Sequence, residues 1–229
     1  MRDVALPGLP PELEGLRVAH LSDFHLGPPS RGQRAVAEAV AWVRERRPDL
    51  VCVTGDLLSH PRARRRLDEL LRGLDAYVVL GNHDVAETRD PFSRGGDVDE
   101  LPATVLDGRS VTLELRGARV QLAGTRPTYD AAVPEPDGSA ALRLLLTHYP
   151  RLRVPGYQLV LAGHMHAGQI VLPYPGGRLR LAHPRAPLAE GVYRAGGVTL
   201  HVSPGLGTTF VPLRYFARPE ATELVLRGS

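Results

Sequence analysis

The apolar positions of this chain fall into short runs that predict strands alternating with two helical stretches. Arg17 to Leu21 and Leu50 to Thr54 are nearly continuous apolar runs bounded by polar or turn residues, the pattern of strands buried on both faces. Between them, from Gly32 to Arg46, the residues Val36, Ala39, Val40 and Val43 recur at helical spacing among Arg and Glu, and Pro48 ends the pattern. Pro61 to Gly73 predicts a second, very basic helix, and Ala76 to Leu80 a third strand. A β-α-β-α-β order predicts a parallel core joined by right-handed crossovers.

The texture changes after Asp84. Residues 91–102 read as loop, and Val111 to Leu115 and Arg119 to Ala123 alternate around an RGA turn, which predicts a hairpin. A polar, Pro-rich linker from Thr125 to Ser139 precedes two further buried strands, Leu142 to Thr147 and Gln158 to Ala162. Arg178 to Ala182, Gly191 to Tyr193, Val198 to Val202 and Glu223 to Leu226 complete a second sheet expected to be mostly antiparallel. The opening MRDVALPGLPPELEGL, rich in Pro and Gly, reads as an extended lead-in.

Composition narrows the class. Hydrophobic residues at 43% and charged residues at 23% suit a chain that buries a sizeable core and exclude a disordered one. The net charge of +3 suits anionic substrates and falls short of a nucleic-acid-binding signature. Cys52 is the only cysteine, so no internal disulfide forms, and its setting in LVCVTGD predicts a buried thiol. No run is long and apolar enough for a transmembrane span, and no leader follows Met1. The expected location is cytoplasmic, with peripheral membrane contact as a variant.

Candidate chemistry sits where the predicted strands end. Asp23 and His25 follow the first, Asp56 the second, Asn82, His83 and Asp84 the third, His148 the strand from Leu142, and His164 and His166 the strand from Gln158. Loops beyond the carboxyl ends of parallel strands share one rim, so residues distant in sequence converge there. Within SDFH and GHMH the paired candidates are one residue apart, and a period of two would aim both at a common point if these segments were extended. Imidazole, carboxylate and amide donors without thiolate suit borderline ions such as Mn, Fe or Zn. Seven ligands exceed the needs of one tetrahedral ion and suit two ions about 3.5–4 Å apart, bridged by a carboxylate.

The strings SDFHLG, TGDLL, GNHD, LTHYP and GHMHAGQ occur in the order in which calcineurin-like metallophosphoesterases carry their signature blocks, and the chain resembles that family from Leu21 to Gln169. The resemblance implies that Asp23, His25 and His166 hold one metal, Asn82, His148 and His164 a second, and Asp56 bridges both. It further implies attack on phosphorus by a shared hydroxide, with His83 protonating the leaving oxygen and Asp84 or another carboxylate orienting His83. The tail from Gly191 is similar to a membrane-associated bacterial branch that includes lipid phosphoesterases. Two departures stand out: Met165 lies between the GHMH histidines, and LLSHPRARRR follows Asp56 where the family has a small turn.

Residues 1–229 are therefore expected to form one α/β domain, a four-layer α-β-β-α sandwich of two mixed sheets with helices on the outside. Its expected activity is hydrolysis of a phosphomonoester or phosphodiester, with small anionic phosphoesters and lipid phosphoesters as candidate substrates. A nucleotide or nucleic-acid phosphodiesterase is the alternative, and a catalytically silent scaffold a lesser one, because every ligand position is filled. No obligate protein partner is evident. His20, His60, His183 and His201 read as ordinary core or surface residues, with His60 nearest the site. Arg62 to Arg66 reads as a solvated helix face. Arg214 has two open readings, a substrate-phosphate contact and a structural salt bridge. Phe210, Val211, Leu213, Tyr215 and Phe216 are expected to pack into the core, with an acyl-chain groove or a membrane-surface contact as the other readings.

Overall fold

The structure, a computed structural model, describes residues 1–94, 98 and 100–229. Its strands, in chain order, are β1 (Arg2–Leu6), β2 (Arg17–Leu21), β3 (Leu50–Thr54), β4 (Tyr77–Val79), β5 (Thr104–Val105), β6 (Ser110–Leu115), β7 (Ala118–Gly124), β8 (Leu142–Leu146), β9 (Leu159–Ala162), β10 (Val171–Tyr174), β11 (Gly177–Arg180), β12 (Gly191–Ala195), β13 (Val198–Val202) and β14 (Thr222–Gly228). The helices are α1 (Gln33–Arg46) and α2 (Arg64–Leu71).

Two mixed sheets result, ordered β1-β14-β2-β3-β4-β5 and β12-β13-β9-β8-β7-β6, with β10 and β11 forming a separate ribbon. The predicted β2-α1-β3-α2-β4 core is present, and β2, β3 and β4 pair in parallel. All five residues of β3 are buried, as a parallel strand covered on both faces requires. Helix α1 lays Val36, Ala39, Val40 and Val43 on the first sheet and ends at Arg47, whose left-handed backbone (φ 48) returns its amide to the Val43 carbonyl before Pro48. The hairpin of β6 and β7 turns through Arg116 (φ 52) and Gly117 (φ 81), the left-handed pair that matches strand twist.

Between the sheets lies a core that includes Val18, Cys52 and Val79 from one side and Leu144, Leu161 and Leu122 from the other. Each such side chain contributes about 1.5–3 kcal/mol when fully buried. Helices α1 and α2 cover the outer face of the first sheet. The outer face of the second, with Leu145, Val160 and Leu200, is covered by loop residues including Val154, Tyr157 and Met165. The fourth layer is thus formed of loops where helices were expected.

Four expectations about the sheets change. The second sheet is parallel through β13-β9-β8-β7 and antiparallel only at its edges, because β9 and β13 are joined by long connections that return the chain to the same end. The segment around Glu223 belongs to the first sheet: β14 inserts between β1 and β2, where the Glu223 carboxylate meets Arg17 and Arg46. The lead-in contains an edge strand, β1, parallel to β14, with Val4 and Leu6 buried. Arg178 and its neighbours pair only with β10, in the ribbon.

Candidate metal centre

The loops beyond β2, β3, β4, β8 and β9 meet at one rim and bring all seven predicted ligands together. They do so by a different local geometry from that expected. Asp23 (φ 53), His25 (φ 45), Asp56 (φ 53), His164 (φ 70) and His166 (φ 48) are all left-handed, so SDFH and GHMH are irregular segments and not regular extended strands; SDFH runs beside Gly55 to Leu57, and GHMH bends into a short 3-10 turn. Their side chains still converge because the residues between them, Phe24 and Met165, are drawn into hydrophobic clusters on the opposite side. Five non-glycine residues held in a costly backbone region at one rim form a strained cluster of the kind that collects at functional sites.

Close approach of the strand ends needs glycine. A Cβ on Gly81 would stand 2.1 Å from Asp56 Oδ1, and one on Gly163 would stand 1.9 Å from Ser22 Oγ. Glycine in GNHD and GHMH therefore lets the backbone pack directly against side chains that carry the site.

Two groups of donors share Asp56. Asp23, His25, Asp56 and His166 form one and Asp56, His148 and His164 the other, each with its atoms within 4.8 Å of one another. In the first, His25 Nε2 lies 3.2 Å from His166 Nε2, and His166 Nε2 lies 3.4 Å from Asp23 Oδ1. In the second, His148 Nε2 lies 3.1 Å from both His164 Nδ1 and Asn82 Oδ1. Asp56 Oδ2 stands 3.4 Å from His25 Nε2 and 3.3 Å from His148 Nε2, and Oδ1 accepts the His83 amide at 2.9 Å. Donors about 2.0–2.1 Å from a common cation are separated by roughly 3.0–3.4 Å along octahedral or tetrahedral edges. The spacings match.

Outer contacts hold the imidazole rings, and one of them selects a tautomer. His148 Nδ1 lies 2.8 Å from the Thr54 carbonyl and can only donate to it, which leaves Nε2 as a lone pair facing the cluster. His25 Nδ1 meets Ser59 Oγ at 3.1 Å, and His164 Nε2 meets the Tyr129 hydroxyl at 3.2 Å. These buried clusters fit a dinuclear metal site.

Electrostatics follow from burial and crowding. Burial pushes the Asp56 carboxyl up, but His148 and His25 outweigh it and hold the group well below the usual range. Burial raises Asp23. His148 is pushed up to about 9, since Asp56 and Asp23 overcome its desolvation. Burial, with His148 beside it, lowers His164 to about 2.

The residues expected to act beside the metals are placed differently from one another. His83 lines the pocket, its Nδ1 2.8 Å from Ser93 Oγ and its Nε2 3.0 Å from Thr88 Oγ1, and burial lowers it to about 4. Asp84 does not orient it: Oδ1 accepts the amides of Leu57 (2.8 Å) and Leu58 (3.2 Å), and Oδ2 accepts that of Gly81 (2.9 Å). The carboxylate clasps the β3 and β4 loops together, and hydroxyls, not a carboxylate, hold the His83 ring.

Other readings are revised as well. Arg214 forms no salt bridge among the described residues; it donates to His166 Nδ1 (3.1 Å) and to the carbonyls of Pro204 (2.9 Å) and Gly207 (2.8 Å), and burial lowers it to about 10. His60 lies outside the catalytic pocket, where it accepts the Arg62 amide, whereas His183 lines the pocket with its ring 5.0 Å from that of His164. Sequence reasoning also passed over Tyr149 and Tyr129, which stack at 3.8 Å beside His164. Tyr149 directly follows His148 in LTHYP, a signal that was available; Tyr129 and His183 come from loops with none. In α2, Arg64, Arg65 and Arg66 pair with Asp68 and Glu69, as a solvated face does.

The shared carboxylate, the rim of strand ends and the imidazole ligands define a metallophosphoesterase, and the family's sequence profile, described as calcineurin-like phosphoesterase, matches residues 16–168. The chain belongs to the calcineurin-like phosphoesterase family. It is 29% identical, over 96% of its length and 82% of the relative's, to an uncharacterized metallophosphoesterase, YkuE, of Bacillus subtilis (strain 168). It is 27% identical to the phosphodiesterase YaeI of Escherichia coli (strain K12), over 83% of this chain and 75% of that one. A transmembrane protein with metallophosphoesterase domain from Danio rerio is 29% identical over 98% of this chain, which spans 56% of that longer protein. Among the described residues no helix is long and apolar enough to cross a membrane.

Proposed function

We propose that this chain hydrolyses phosphodiesters or phosphomonoesters at a dinuclear centre, with Asp23, His25 and His166 on one ion, Asn82, His148 and His164 on the other, and Asp56 on both. The observation that carries this reading is the Asp56 carboxylate, whose Oδ2 faces His25 on one side and His148 on the other. When bound, two such ions supply Lewis acidity: they acidify a water and neutralise charge on the phosphoryl oxygens. The donor set favours Mn, Fe or Zn.

The chain's own residues do the rest. The Thr54 carbonyl, accepting from His148 Nδ1, and the Ser59 hydroxyl at His25 Nδ1 keep both rings oriented without reorganisation during the reaction. His83 is the candidate general acid: as the imidazolium, its Nδ1 would donate to Ser93 Oγ and its Nε2, in the pocket lining, would carry the proton for the leaving oxygen. Arg89, also in the pocket lining, supplies positive charge for the phosphate. The name of the E. coli relative supports a diester, and a lipid phosphoester is among the esters proposed. Residues 1–229 act as one domain on this reading, supported by the pairing of β1 with β14 at opposite ends of the chain.

The test is turnover of a panel of aryl and alkyl monoesters and diesters by protein reconstituted with Mn, Fe or Zn, alongside Asp56→Asn. Metal-dependent hydrolysis lost in the variant supports the reading. Inert protein that holds no stoichiometric metal would instead favour a scaffold.

A further inference from the structure

The apolar tail segment does not join the core. Phe210, Val211, Leu213, Tyr215 and Phe216 are between 43% and 58% exposed. The ribbon beside them is also inverted relative to ordinary amphipathic pairing: Leu172 and Leu179 are cross-strand partners, and both are exposed, as are Tyr174 and Leu181. The opposite face is tied to the body by Val171, which is buried, and by Arg178, which donates to the Phe216 carbonyl at 2.7 Å. Large apolar side chains that line one surface at this density mark a binding face.

Between ribbon and tail runs a groove of about 390 Å³ whose walls include Ile170, Leu181, Phe210 and Val211. The groove is braced. Gln169, buried at its base, donates to the carbonyls of Thr209 (2.7 Å) and Val211 (3.1 Å) and accepts the Thr209 amide (2.9 Å), while the Val171 amide donates to Tyr215 (2.8 Å). It is also continuous with the catalytic pocket, since His183, Thr209 and Phe210 line both.

We propose that this groove is the subsite for the hydrocarbon chain of an amphiphilic phosphoester, whose phosphate lies at the metal centre and whose tail passes Phe210 to lie against Leu181 and Val211. The proposal rests on the phosphoesterase reading above and names its substrate class. Continuity of the two cavities argues for an occupant with a charged head and an apolar extension. The polarity of the groove argues against a nucleobase, because the Gln169 amide that could read one is already spent on the loop backbone.

The test uses methyl, hexyl and dodecyl p-nitrophenyl phosphodiesters, kept below their micelle concentrations, with Mn-loaded wild type, Leu181→Arg and Val211→Arg. Each methylene that enters the groove is expected to raise kcat/KM up to about fourfold, so the hexyl ester exceeds the methyl ester by tenfold or more. Both substitutions are expected to bring the hexyl-to-methyl ratio down towards one. A ratio near one in the wild type, or a ratio untouched in both variants, overturns the subsite. Calorimetric binding of hexyl- against methylphosphonate gives a readout independent of turnover. If no ester is hydrolysed while hexylphosphonate still binds more tightly, and only to the wild type, the subsite stands and the hydrolase reading falls. Should the variants change the sedimentation coefficient and leave chain preference alone, the groove is a contact between copies of this chain, and the proposal fails.

Discussion

The Asp90 carboxylate accepts the Phe210 amide at 2.7 Å and, through the same oxygen, the Thr209 hydroxyl at 2.9 Å. Asp90 is buried, and its amide is received by Thr88 Oγ1, the hydroxyl that also meets His83 Nε2. Asp90, through its amide on one side and its carboxylate on the other, thereby links the loop that steadies His83 to the apolar loop at the pocket mouth. Although burial acts in the opposite direction, the amides of Phe210 and Phe92 hold its carboxyl below the usual range.

Asp90→Ala is expected to affect two properties together. With the carboxylate gone, the Phe92 amide and the 209–211 loop lose their anchor beside Ser93, which holds His83 Nδ1, so kcat should fall by about tenfold, a modest misplacement of a catalytic group. Stability should fall by about 1–3 kcal/mol as buried donors lose their acceptor. Steady-state kinetics and urea unfolding read the two effects; loss of stability with unchanged kcat would separate the loops.

His83→Ala should discriminate between leaving groups. If His83 protonates the leaving oxygen, turnover of an alkyl diester should drop by about 10²–10⁴. A p-nitrophenyl leaving group needs no proton and should suffer far less. Equal losses on both substrates would assign His83 to positioning alone.

Asp56→Asn should remove the shared ligand from both donor groups. Metal analysis of protein equilibrated with limiting Mn or Zn is expected to show occupancy falling from two ions per chain towards one or none, at about wild-type levels of secondary structure by circular dichroism. Retention of both ions would show that the clusters fill independently of this carboxylate.

Arg214 braces His166 and the loop carbonyls of Pro204 and Gly207 at once. Arg214→Ala is expected to weaken metal affinity by about tenfold, because the loops carrying His166 and Pro204 to Gly207 lose the guanidinium that ties their carbonyls together. Lys should not restore it, because a point ammonium cannot reproduce the fork of guanidinium donors. Competition with a chromogenic chelator measures the affinity, and rescue by Lys would reduce the role of Arg214 to charge.

The His20 and His201 rings meet between the sheets, Nδ1 to Nδ1 at 2.7 Å, and His20 Nε2 meets Thr54 Oγ1 at 2.9 Å. Burial lowers His20, with His201 adding to the effect, and burial lowers His201 to about 3. Folded-state values below the unfolded value of 6.5 mean that the unfolded chain takes up these protons first. Their contribution is therefore fully present above pH 6.5 and is lost as pH falls below it, at up to about 1.4 kcal/mol per pH unit for each group. A His20→Leu/His201→Leu double variant, which removes both hydrogen-bonding partners together, should flatten that slope between pH 7 and 5 in urea titrations. An unchanged slope would place the acid sensitivity elsewhere.

The local pattern of this chain was enough to specify what depends on near neighbours. A run such as LVCVT is buried on both faces wherever it pairs, and Val36, Ala39, Val40 and Val43 share a helix face by period alone. The ligand types at the strand ends were legible for the same reason, since each stands directly after a recognisable strand. Tertiary structure decided what depends on distant partners. Whether β14 joins the first or second sheet is set by pairing with β1 and β2, residues some two hundred positions away, and no period of Glu223 to Leu226 encodes it. The left-handed backbone at Asp23 and His166 accompanies the packing of Phe24 and Met165 into separate cores. Phe210 to Phe216 read as core because hydrophobicity states a preference for burial without naming a partner, and only the assembled rim shows that the surface they share with Leu172 and Leu181 remains open beside the catalytic pocket.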